Sequence, residues 1–71
     1  MTVSEVIGKR VMDRDAIVVG KLTDIDINTS AWTVASLVVK TGLAKKLVVG
    51  VDKVGKIGDE IFLTATRDEL Q

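Results

Sequence analysis

Ile17-Val18-Val19-Gly20-Lys21-Leu22-Thr23-Asp24-Ile25-Asp26-Ile27-Asn28 is the longest stretch of the chain that reads as extended backbone. β-Branched residues crowd it, and such side chains are stiff at the first torsion and pack well on a pleated sheet. Its apolar positions start odd at Ile17 and Val19, fall on an even number at Leu22, and return to odd at Ile25 and Ile27. Gly20 stands near that slip, as a bulge or a tight barrel corner requires. On a strand Asp24 and Asp26 share one face and Ile25 and Ile27 the other. Two acids so placed suit a metal site, an acid/base pair or a wet strand face. Hard cations need several oxygen ligands, and no third acid is close by in sequence, although Asp13, Asp15 or Asp52 could complete a site in space. The wet face is the reading carried forward, and no metal is expected.

Outward from this stretch the text is a series of short strands between turns. Thr2-x-x-Glu5 has capping-box spacing and opens at most one helical turn, stopped by Gly8. Lys9 to Asp13 is a first strand, and Asp13-Arg14-Asp15-Ala16 a turn in which Asp can cap its own backbone. After the turn Asn28 to Ala31 comes a strand from Trp32 to Lys40. Its end, Leu37-Val38-Val39, reads as covered on both faces. Thr41-Gly42 turns the chain into Leu47-Val48-Val49, which Gly50 ends. Residues 51–54 suit a single 3₁₀ turn, and Gly58-Asp59 leads to a last strand from Glu60 to Ala65. The tail, 66–71, is polar, a frayed end or a short helix. Five or six short strands joined by tight turns predict a single all-β domain, a small antiparallel β-barrel over residues 1–71 with its core between about 4 and 65.

Seventy-one residues lie near the lower limit for a core that holds without help. With no Cys and no His there are no disulfides and no ordinary zinc ligands. Yet 46% of the residues are apolar, among them twelve Val and six Ile, in a chain that is also 28% charged. Self-association would hide part of that surface, so a homodimer is expected. Ten basic and ten acidic residues cancel and give no global field to draw in nucleic acid or an anionic membrane. No signal pattern opens the chain and no apolar run reaches the roughly 18 residues of a membrane span, so a cytoplasmic protein without membrane insertion is expected.

The usual catalytic vocabulary is missing. Without His or Cys, the commonest general base and the most reactive nucleophile are absent. A Ser activated by Lys is disfavoured by context, because Ser36 lies in mid-strand and Ser4 and Ser30 in capping or turn positions. Gly50-x-x-x-x-Gly55-Lys56 has a phosphate-loop outline, but Ile57 stands where Ser or Thr should bind magnesium and no helix follows. Neither enzymatic activity nor a cofactor is expected. Lys40, Lys45 and Lys46 form the one basic cluster, without the interleaved aromatics that single-stranded nucleic acid favours. Trp32, the single Trp, is either a lid on the core or an interface anchor. Trp32, Val38, Leu43, Val48 and Phe62 are the candidate interface residues.

The whole chain resembles a PRC-barrel domain. The likeness begins at Val6-Ile7-Gly8-Lys9-Arg10-Val11, similar to the family's opening apolar-Gly-x-x-Val. It runs through Asp13-Arg14-Asp15-Ala16, Gly20-Lys21-Leu22-Thr23-Asp24-Ile25-Asp26-Ile27 and Leu37-Val38-Val39. It closes on Val51-Asp52-Lys53-Val54-Gly55-Lys56-Ile57-Gly58-Asp59-Glu60-Ile61, similar to the family's apolar-x-x-Val…Ile-Gly-Asp-x-Ile. Roughly residues 4 to 65 are covered. Ala16 departs from the usual turn Gly, and a left-handed backbone there would strain it. The resemblance implies no catalytic or ligand positions. It implies an adaptor that presents a surface: in an archaeal group, to the membrane anchor of a tubulin-like division ring; in ribosome-maturation relatives, to ribosomal proteins.

Overall fold

The structure is a computed structural model describing residues 1–70. Six strands form one sheet: β1 (Arg10–Met12), β2 (Val18–Asn28), β3 (Thr33–Lys40), β4 (Lys46–Gly50), β5 (Val54–Ile57) and β6 (Ile61–Leu63). Their order is β4-β3-β2-β1-β6-β5, so β4 and β5 are the free edges of a barrel-like sheet that is not closed. A short helix α1 (Val3–Val6) precedes it, and a 3₁₀ turn, Val51–Lys53, links β4 to β5. The Glu5 carboxylate accepts the Thr2 N–H at 3.0 Å and its hydroxyl at 2.9 Å. Gly8, at φ 92°, then ends the turn in a conformation that only Gly adopts at low cost.

The sheet corrects the expectation of a wholly antiparallel barrel. Four joints are antiparallel, but β1 and β6 pair in parallel. The cause is the 3₁₀ turn. It carries the chain from one edge strand to the other without reversing it, so β4 and β5 run the same way and β6 returns alongside β1. The strand Val54–Ile57 is the element that the sequence conceals. It has only four residues, and a register shift between Val54 and Lys56 breaks its alternation. Gly55 weakens the pattern further, yet a Cβ there would come within 3.0 Å of Thr64.

The parity slip in β2 is structural. β2 carries an extra residue opposite β1 at Val19 and another opposite β3 at Thr23. Each bulge shifts the inward set by one, so Val19, Leu22 and Ile25 face the core at intervals of three. Gly20 allows the sharp bend, because a Cβ there would collide with the carbonyl oxygen of Lys40. Around this strand Val11, Val39, Val49, Ile61 and Leu63 complete a core with almost no solvent exposure. Val38 is not covered on both faces as expected. It is half-buried and points outward, while Leu37 and Val39 point in.

Asp13, 1% exposed, is the one buried charge among the described residues. One carboxylate oxygen accepts the N–H groups of Asp15 and Ile17 at 2.8 and 2.9 Å, and the other accepts the N–H of Arg67 at 2.9 Å. It therefore builds the β1–β2 turn and ties down the C-terminal segment. A second Thr-x-x-Glu unit, Thr66 and Glu69, closes a 3₁₀ turn at Asp68–Leu70, and Leu70 packs against the core.

Candidate interaction surface

No cluster of three or more acids is placed to hold a metal ion among the described residues. Asp24 and Asp26 sit on the exposed outer face of β2, where Asp24 accepts the Ile25 N–H at 2.9 Å and Asp26 accepts the Ser36 hydroxyl at 3.0 Å. The 3₁₀ turn follows Gly50 directly and β5 follows the turn, so the phosphate-loop outline acquires no helix. No helix among the described residues is long and apolar enough to cross a membrane.

What the structure offers instead is apolar surface. The inner face of the β2–β3 hairpin carries three cross-strand pairs in succession: Leu22–Val39, Ile25–Leu37 and Ile27–Val34. A further bulge, at Ala35, keeps the third pair on the same face as the first two. The first pair is fully buried, whereas Ile27 and Val34 are 49% and 40% exposed. The core thus continues along the hairpin past the point where the barrel covers it. There it meets Met1 and Val3 at the helix, Val51 on the 3₁₀ turn, and Val54 and Ile57 on β5, around an apolar cleft of about 210 Å³. This cleft is the mouth of the barrel. The molecule exposes 4725 Å² at 7.6 kDa, about a tenth more than the ~4,300 Å² of a compact monomer of that mass.

The hairpin ends in a strained turn. Asn28 accepts the N–H groups of Ser30 and Ala31 through its side chain, and Trp32 then takes φ 56°. A bulky residue in the left-handed region is costly, and such strain concentrates at functional sites. Trp32 is 78% exposed, so it is not a lid on the core.

The expected interface residues are dispersed. Val38 and Val48 are direct cross-strand partners on the outer face. Leu43, 99% exposed, stands in the β3–β4 loop, and Trp32 at the end of the other hairpin. Phe62, half-buried, lies on β6 and faces away from the buried Ile61 and Leu63. Of the mouth, the sequence shows only that Ile25 and Ile27 share one face of β2. The missing signal was Val34, whose side is set by the bulge at Ala35.

The fold is a six-stranded open barrel with β2 bulged at Val19 and its first turn built on Asp13, and the PRC-barrel domain pattern matches residues 1–71. The chain belongs to the PRC-barrel family. No curated protein matches it. Membership supports a small protein-interaction module, and the apolar mouth is the part of this PRC barrel with the chemistry such a module needs.

Proposed function

We propose that this PRC barrel is a non-enzymatic adaptor that receives an apolar segment of a partner protein in its mouth and works as a homodimer. The observation that carries the reading is the Ile27–Val34 pair, which continues the Ile25–Leu37 pair of the core along the hairpin and is left half-uncovered by the chain's own residues. Contiguous apolar patches of this kind mark interaction sites on soluble domains. In its specific form, the adaptor acts in archaeal cell division and binds the membrane anchor of the tubulin-like ring. That form rests on the family resemblance. Titrating the purified anchor tests it. Saturable binding that Val34→Glu abolishes supports the reading, and no binding at tens of micromolar removes the division role.

A second reading, an accessory factor in RNA processing or ribosome maturation that binds RNA or a ribosomal protein, is favoured by one feature. Lys21, Lys40 and Lys46 stand side by side across three strands. The exposed aromatic is far from them: Trp32 adjoins the opposite end of β3, about 24 Å of strand from Lys40. A salt-sensitive shift with structured RNA would favour this reading.

A further inference from the structure

The outer face of β2, β3 and β4 is ordered in rows of cross-strand partners. The first row is Arg10, Lys21, Lys40 and Lys46, each directly opposite the next from β1 to β4. Like charges so placed repel. Glu60 answers Arg10 at 2.6 Å, but among the described residues no acid lies within ion-pair distance of the three lysines. The middle row is Asp24, Val38 and Val48, with Val48 62% exposed. The third is Asp26, Ser36 and Gly50. A Cβ at Gly50 would meet Asp52 Oδ1 at 2.6 Å, so the Asp52 carboxylate stands where a side chain at position 50 would project. Rows two residues apart are about 7 Å from one another. The face is therefore cationic at one end, apolar in the middle over β3 and β4, with Asp24 beside them on β2, and anionic at the other end.

Such a face is complementary to itself turned end for end. A two-fold axis lying in the face along the Val38–Val48 row brings both valines against their own copies. It sets Lys21 over Asp26 of the second copy and Lys46 over Asp52 of the second copy, on both sides at once. The same axis sets Asp24 against its own copy, the one like-charge contact of the arrangement, set against four opposite-charge pairs. The mouth cannot serve this purpose, because a concave site placed against itself encloses a void. Closed two-fold dimers need one patch that mates with itself.

We propose that the outer face of β2–β4 is the self-association surface of this protein, with a second copy of the chain as its occupant. The proposal rests on the homodimer reading above and adds its surface, symmetry and charge pairing. Three strands about 4.8 Å apart make a face at the low end of specific interfaces, so the dimer is weak and steeply salt-dependent.

Sedimentation of three proteins tests this: wild type, the pair Lys21→Glu with Lys46→Glu, and the pair Asp26→Lys with Asp52→Lys. All four positions are exposed, so the fold tolerates the changes, and circular dichroism verifies it. Wild type is expected to dimerise at tens of micromolar in low salt and to dissociate in 0.5 M salt. Each double variant should associate at least about ten-fold more weakly, and their equimolar mixture should recover a heterodimer. Variants that dimerise like wild type, with no gain on mixing, overturn the surface and leave the homodimer standing. A wild type that is monomeric throughout overturns both.

Discussion

Among the described residues two besides glycine hold positive φ, Ala16 at 62° and Trp32 at 56°, and they test different things. Ala16 is an exposed turn residue whose N–H bonds the Asp13 carbonyl at 3.0 Å. Nothing but geometry holds it there, so Ala16→Gly should stabilise the fold by about 0.5–1 kcal/mol, read by chemical denaturation. Trp32→Gly should relieve strain in the same way, with a higher denaturation midpoint than wild type. Asp13 is the counterexample, a polar residue the fold depends on. The N–H of Ile17 foremost, then those of Arg67 and Asp15 and the Arg14 charge, hold its carboxyl below the ordinary 3.8, against burial, which pushes it up. Glu5 and Glu69, each lowered chiefly by the backbone N–H of its threonine, act in the same direction. A group with a depressed folded value contributes stability that is complete above the unfolded value and is lost as pH falls through the folded one. Stability should therefore be level above about pH 5 and decline on acidification through 3.8 and below. Asp13→Asn should lower Tm at pH 7 by roughly 10 °C and flatten that decline.

At the scale of elements, β2 carries the architecture, and much of it is legible in the sequence. The slip at Leu22 and the nearby Gly20 announce the bulged bend, and the Asp13 turn, the 3₁₀ turn after Gly50 and the flanking strands lie within a residue or two of expectation. The hidden features are those set by a partner strand. Ala35 as a bulge depends on β2, β5 exists because β6 lies beside it, and the parallel β1–β6 joint depends on a corner that does not reverse the chain. None of these has a local period. The interface candidates fared likewise: Val38 and Val48 meet because of the β3–β4 register, which sequence alone does not supply. Gly20→Ala is the prediction at this scale. A methyl group aimed at the Lys40 carbonyl must displace backbone, so the substitution should cost on the order of 3 kcal/mol, with unfolding at a markedly lower denaturant concentration. An unchanged midpoint would mean that the two strands do not approach as described.

The whole molecule divides its surface by shape and charge. The mouth is concave and apolar, the shape that the proposed partner segment requires. The outer face of β2–β4 is charge-ordered, the pattern on which the proposed self-association rests. The two lie on opposite faces of the same hairpin, so the proposed partner site and the proposed self-association face do not compete for surface. Destroying one site should therefore leave the other intact. The measurement that tests the central claim most directly is affinity capture from lysate of the source cells, comparing wild type with the mouth variant Val34→Glu plus Ile57→Lys, with and without nuclease. The account predicts a discrete set of proteins held by wild type, resistant to nuclease and lost in the variant, whose fold is verified by circular dichroism. The same set held equally by both, or only ribosomal proteins released by nuclease, would contradict it.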